Sequence, residues 1–269
     1  MNASRSSSKW ADLAPRVLSA FVMAAIAAGA IWIGGLTYMA FVALVIGLCM
    51  WEFARLLRPD VAHVPVFLGA AALVGIMISG LGISTAPGVI FTPKIAALFL
   101  APVLGMLLIE DRRLLFFTYS SVIMLAGLGF VAIGPGALLI WFVLIIVMSD
   151  VAGYFAGRML GGPKFWPRIS PKKTWSGTIA GWIGAGVLGL IGVWMGYFTP
   201  FMAIFAPLVA FAGQMGDIAQ SAIKRKVGVK DSSNLIPGHG GVLDRFDAMI
   251  GASAAVVLIS AIGTLVLAG

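Results

Sequence analysis

Charge is scarce in this chain. Only 10% of its 269 residues are Asp, Glu, Lys or Arg, while 61% are apolar. A soluble domain carries about 25% charged and roughly 45–50% apolar residues. With so few polar residues, the chain cannot cover an apolar core with a wettable surface, and its mean hydropathy of +1.05 fits that exclusion. No polar stretch is long enough to form a separate soluble domain. Cysteine is nearly absent: the single Cys49 excludes an internal disulfide and a cysteine-based metal cluster. It sits in an apolar run and reads as a packed small hydrophobe. A phosphate-binding P-loop and an H-E-x-x-H zinc motif are also missing. Of the two histidines, His63 follows Arg58 and Asp60 in an interfacial loop without chemistry, and only His239 stands in a polar neighbourhood.

What the chain has instead is apolar runs of membrane-crossing length. A bilayer core of roughly 30 Å takes about 20 mostly apolar residues as a helix. Nine candidates follow, at about 17–33, 36–52, 65–83, 95–109, 114–133, 137–155, 177–197, 201–222 and 248–268. Their continuous apolarity predicts helices; barrel strands would alternate. Thirty-four glycines suit helices whose backbones approach closely in lipid. The expected fold is therefore an all-α integral membrane protein, a polytopic bundle of about nine helices. It divides into an N-terminal segment 1–16, N-terminal helices over 17–133 and a polar-rich C-terminal region over 134–269. Arg5, Lys9 and Arg16 before an Ala-rich stretch imitate a signal peptide, but the spans that follow need a first one.

The net charge of +8 invites a nucleic-acid reading, which the positions of the charges remove. With the N-terminus in the cytoplasm, 17 of the 18 Lys and Arg residues fall in cytoplasmic segments, and only Lys94 falls outside. That is the positive-inside pattern of a multi-pass protein. Attraction to anionic membrane lipid accounts for the remaining basic character, and no nucleic-acid partner is needed.

Polar chemistry gathers in two places. The first runs from Ser149-Asp150 through Tyr154 and Arg158 to Ser170-Pro171-Lys172-Lys173-Thr174-Trp175-Ser176-Gly177. Asp150 lies near the end of an apolar span, where a carboxylate is expensive without a partner. Tyr154, four residues on, shares its helical face. Thr174 and Ser176 beside Gly177 place donors at a helix start, a natural anion site.

The second region runs from Gly216-Asp217 to Lys224-Arg225-Lys226, Lys230-Asp231 and Pro237-Gly238-His239-Gly240-Gly241, ending at Asp244-Arg245-Phe246-Asp247. Asp217, Ser221 and Lys224 line one helical face. Pro237–Gly241 must turn, because its three glycines permit backbone that other residues resist. His239 can serve either as a phosphate contact or as a turn-stabilising hydrogen-bond partner. Asp244 and Asp247 share a face if the last span begins there. Carboxylates of this kind can hold Mg²⁺, which combines few protein ligands with substrate phosphates. Lys and Arg can neutralise the phosphate charge that remains. The set is the equipment of phosphoryl or nucleotidyl transfer.

The stretch Ser221-x-x-Lys224-Arg225, Lys230-Asp231, Pro237-x-His239-Gly240-Gly241, Asp244-Arg245-x-Asp247 resembles the signature of the phosphatidate cytidylyltransferases. Ser149-Asp150, Ser170–Trp175 and Trp51-Glu52-Phe53 with Arg55-Leu56 resemble the same family. Gln220 and Ser176 depart from its commonest pattern, which puts roles for those two positions in doubt. The resemblance implies transfer of CMP from CTP to phosphatidic acid, giving CDP-diacylglycerol and pyrophosphate at the cytoplasmic face of a bacterial inner membrane. It implies Asp217 and Asp244 as ligands of Mg²⁺ or another divalent cation, with Asp247, Asp231 and Asp150 as further candidates. Ser221 and Lys224 join Asp217, Asp244 and Asp247 as candidate catalytic residues. Lys172, Lys173, Thr174, Arg225, Lys230, His239, Gly240, Gly241 and Arg245 become candidate substrate-binding residues. The resemblance also points toward a homodimer. The rival readings are a CTP-dependent transferase or kinase acting on another lipid, and a transporter. The transporter fits less well, because the acidic groups gather at span ends and no repeat relates the two halves.

Overall fold

The computed structural model describes residues 13–81 and 93–268. The first twelve residues, with Arg5 and Lys9, therefore lie outside the described residues, as do the end of the expected 65–83 span and Gly269. The helices are α1 (Leu13–Ile33), α2 (Gly35–Leu57), α3 (His63–Gly80), α4 (Pro93–Leu98), α5 (Leu100–Leu108), α6 (Arg113–Ile133), α7 (Ala137–Leu160), α8 (Trp175–Trp194), α9 (Pro200–Val227) and α10 (Leu243–Ala268). Eight of these segments are long and apolar enough to cross a membrane. Phe21, Leu107, Leu190 and Ile204 each stay more than 60% exposed. A water-soluble fold would bury such side chains, whereas a bundle in lipid presents them outward.

The closely spaced first two spans are separate helices. Gly34 and Gly35 have φ of 69° and 50°, and two successive residues in the left-handed region cannot continue a right-handed helix. The fourth expected span differs. Residues 95–109 form two short helices that break at Phe99. Pro102 explains the break: it has no N–H to offer the carbonyl of Leu98, and its ring crowds that carbonyl. At 1.5 Å per residue, the pair rises roughly 24 Å, short of a bilayer core of roughly 30 Å.

A second difference is a hairpin of β1 (Lys164–Trp166) and β2 (Ser170–Thr174) between α7 and α8. Phe165 packs edge-on against Trp175, with ring centroids 4.6 Å apart.

The chain divides into two compact units. One is Met1–Met124 with Val229–Phe246, and the other is Leu125–Gly228 with Asp247–Gly269. In the first, α2 packs along α3. A Cβ on Gly47 or Gly69 would stand 2.9 Å from the other residue's carbonyl oxygen, so only glycine permits this approach. Phe53 stacks on Phe116 at 5.2 Å and meets Tyr119 edge-on at 4.9 Å. In the second unit, α8 packs against both α7 and α9 around Ile145, Ala185, Ala206 and Ala210.

Candidate active site

In the second unit the polar groups meet where β2, α9 and α10 bring them together. Lys173, at the end of β2, forms an ion pair with Asp217 on α9. One helical turn further on, Ser221 Oγ donates to Asp217 Oδ1 over 3.4 Å. The Asp217 carboxyl also lies near enough to Asp247 on α10 to act on it electrostatically. Lys173 and Asp217 act electrostatically on Asp150, and Lys224 acts on Asp247. Asp150, Lys173, Asp217, Ser221, Lys224 and Asp247 thus form one neighbourhood. Tyr154 is exposed, and its hydroxyl accepts from Arg158 Nη1 at 2.8 Å.

Bare backbone holds the acidic pair together. A Cβ on Gly216 would lie 2.5 Å from the carbonyl oxygen of Asp247 and 2.8 Å from Gly251 Cα. A buried bracket braces the neighbouring helices: Gln214 accepts from Trp182 Nε1 at 2.9 Å and donates to Ser149 Oγ at 3.1 Å. Buried amides need such partners, and this one ties α9 to α7 and α8.

The anticipated helix start is present, with its donors assigned. Thr174 is buried and caps α8, its Oγ1 accepting from Gly177 N at 3.2 Å. Ser176 Oγ donates to the Gly161 carbonyl. Lys172 is exposed on β2, while Arg225 and Lys230 are exposed at and beyond the end of α9.

The first unit holds the Gly-rich turn. Ile236 and Gly240 bridge through Ile236 N to Gly240 O at 2.8 Å, and Gly238 and Gly240 have φ of 73° and 80°. His239 Nδ1 shares a 2.8 Å hydrogen bond with Ser19 Oγ of α1. This is a tether for the turn, one of the two roles open to that histidine. Asp231 and Asp244 both border Gly240, whose added Cβ would meet their side chains at 3.4 and 3.1 Å. Asp244 Oδ2 accepts from Ser232 N at 2.7 Å, Ser232 Oγ at 3.0 Å and Gly241 N at 3.0 Å. Arg245 is exposed in the first turn of α10.

Chain position alone did not reveal the anchor of this loop. Glu52, near the end of α2, is fully buried. Its Oε1 accepts from Ser233 Oγ at 2.6 Å and Val242 N at 2.9 Å; its Oε2 accepts from Ser232 Oγ at 2.9 Å and Leu243 N at 2.7 Å. The two backbone donors lie at the start of α10, where the helix dipole favours a negative charge. A glutamate within an apolar span was the signal available in the sequence, since such residues are rare without a purpose.

The donor set suits a hard divalent cation. Two neighbouring carboxyls repel unless a proton or a cation lies between them. Among the described residues, no three His, Cys, Asp or Glu side chains gather as a closed cage. Mg²⁺ is commonly held by one or two carboxylates, with phosphate oxygens and water completing its shell. Asp217 and Asp247 therefore fit that ion.

Comparison with known proteins agrees with this chemistry. Residues 14–262 match the model of the cytidylyltransferase family. A phosphatidate cytidylyltransferase of Brucella suis is 33% identical over 271 residues, covering 93% of this chain and 94% of that protein. One from Staphylococcus haemolyticus is 29% identical over 249 residues, covering 87% and 94%. One from Helicobacter pylori is 41% identical over 144 residues, covering 52% and 53%. With the match running through nearly every helix, this chain belongs to the cytidylyltransferase family.

Proposed function

We propose that the protein is a Mg²⁺-dependent phosphatidate cytidylyltransferase, joining CTP and phosphatidic acid to form CDP-diacylglycerol and pyrophosphate. The observation that carries the reading is the Lys173–Asp217–Asp247 cluster, which joins β2, the C-terminal half of α9 and the start of α10 in a chain poor in charge. A phosphate oxygen of phosphatidic acid attacks the α-phosphorus of CTP, and the bond from that phosphorus to the bridging oxygen breaks. Pyrophosphate leaves with the bonding pair. The nucleophile is already anionic, so no serine need be deprotonated. The protein's work is to overcome repulsion between two anions and to hold them in line.

Asp217 holds the cation in this reading, with Asp247 or Asp244 as its second carboxylate, and with Asp231 and Asp150 in reserve. The bound cation would screen the phosphates and stabilise the charge that develops on the departing pyrophosphate. Lys173 holds Asp217 in place and offers positive charge to phosphate. Lys224, Arg225, Lys230 and Arg245 take the remaining phosphate oxygens, and Ser221 orients Asp217. Lys172 is exposed beside Lys173 for the triphosphate or the lipid headgroup, while Thr174 shapes the helix start behind them. Gly240 and Gly241, steadied by His239, let backbone approach the nucleotide. The lipid enters sideways with its tails still in hydrocarbon. The ten Lys and Arg residues within 158–173 and 224–245 support a cytoplasmic site, in a bacterial inner membrane, on the side where CTP is found. A homodimer is the expected assembly.

The test uses purified protein in detergent with phosphatidic acid, Mg²⁺ and CTP labelled on its α-phosphate. Label entering organic-extractable lipid, with matching pyrophosphate release, supports the reading. Phosphorylated lipid plus CDP would instead identify a kinase, and no labelled lipid from folded protein would reject the proposal.

A further inference from the structure

We propose that Glu52 is a positioning residue that fixes the loop carrying Asp244. The inference rests on the cytidylyltransferase reading for its effect on turnover, but not for its structural part.

Each Glu52 oxygen faces one serine hydroxyl and one backbone N–H: Ser233 and Val242 at Oε1, Ser232 and Leu243 at Oε2. A hydroxyl can turn to donate or accept, whereas a backbone N–H can only donate. A carboxylate therefore satisfies all four partners. An amide in either orientation would aim its NH₂ at a backbone N–H. The site selects glutamate over glutamine by chemistry, with size held equal.

The grip extends to Asp244 through one atom. Ser232 Oγ lies 2.9 Å from Glu52 Oε2 and 3.0 Å from Asp244 Oδ2, so its single proton is shared between the two carboxyls. Ser232 N and Gly241 N complete the hold on the same Asp244 oxygen. Gly241 is glycine for the same reason: an added Cβ would collide with Ser232 Oγ and with both Glu52 oxygens. Glu52 is itself fully buried, so it acts through the loop and not on substrate.

The test combines amide hydrogen exchange with kinetics on detergent-solubilised Glu52→Gln and Ser232→Ala proteins. Exchange is read without nucleotide or divalent cation. For Glu52→Gln, amides 232 and 241–243 are expected to exchange at least about tenfold faster while α2 and α3 keep wild-type protection. The kcat should fall roughly 10–100-fold, the scale on which supporting partners of metal-site residues act. The KM for phosphatidic acid should move less than about threefold, because a positioning residue is not expected to alter ground-state binding. Unchanged loop exchange would overturn the proposal, and so would a loosened loop with wild-type kcat. If Glu52→Gln loosens α2 and α3 as well, Ser232→Ala decides, because it leaves both carboxyls and the backbone bonds in place. A looser loop and lower kcat in that variant support the proposal; wild-type values for both reject it. Failure of the wild-type protein to make CDP-lipid would reject the reaction, with the exchange result standing by itself.

Discussion

Gly216 and Gly251 meet across α9 and α10 with no side chain between them, and Asp217 and Asp247 are electrostatic neighbours at that crossing. The acidic pair thus depends on two residues that carry no functional group. Gly216→Ala would place a Cβ 2.5 Å from the Asp247 carbonyl oxygen, and backbone cannot yield as a flexible side chain would. Overpacking of this kind costs about 1–3 kcal/mol. The variant should unfold earlier on heating in detergent and lose roughly 100-fold in turnover, as misplacement of about 1 Å does. Wild-type stability would show that the two helices separate freely there.

Replacing Asp247 with Asn separates charge from shape. Asn keeps the volume and relieves the repulsion against Asp217, so folding stability should hold within about 1 kcal/mol. Turnover should drop roughly 100-fold or more, on the scale of losing one preorganised electrostatic group. The Mg²⁺ concentration for half-maximal rate should rise. Chelation should abolish lipid labelling in the wild-type protein, and added Mg²⁺ should restore it. Near-normal turnover of Asp247→Asn at ordinary Mg²⁺ would remove Asp247 from the cation site. The same measurement on Asp217→Asn tests the partner carboxyl.

Lys173 should respond to the sign of its charge. Lys173→Glu adds an anion beside Asp217 and Asp150, both within its electrostatic reach. Turnover should be lost, whereas Lys173→Arg should keep a measurable fraction because the charge survives with altered geometry. Lys224→Glu should raise the apparent CTP requirement or abolish turnover; an unchanged rate would exclude Lys224.

Thr174→Ala removes the side-chain cap of α8 and should cost about 1 kcal/mol of stability. Thr174→Ser keeps the hydroxyl and should recover most of it. Equal stability of the alanine and serine variants would show that the cap contributes nothing.

Much of this architecture is legible along the chain because its causes are local. Apolar runs of span length give the long helices, and Gly34-Gly35 gives the division of α1 from α2. Thr174 announces the start of α8. The break in the 95–109 segment was equally local, but Pro102 lies inside an apolar run whose overall composition masks it. The hairpin over 164–174 escapes notice because two strands this short leave little periodicity.

The site was legible by residue type and less so by grouping. Asp217, Ser221 and Lys224 follow from helical spacing, whereas the approach of Asp247 to Asp217 depends on a helix crossing set by Gly216 and Gly251. Glu52 shows the limit most clearly. Its partners at Ser232, Ser233, Val242 and Leu243 lie 180 to 191 residues away, and no local pattern connects them.

That separation also has a consequence in time. A ribosome adding roughly 5–20 residues per second makes Glu52 about 10–40 s before Leu243. During that interval α2 carries a carboxylate whose four donors do not yet exist. Glu52 stands near the end of its span, beside Arg55 and Arg58, where water and basic side chains can shelter it. Burial of Glu52 therefore belongs among the last events of maturation. A chain cut short before α10 would keep most of its helices yet leave that carboxylate without its two backbone partners, Val242 N and Leu243 N.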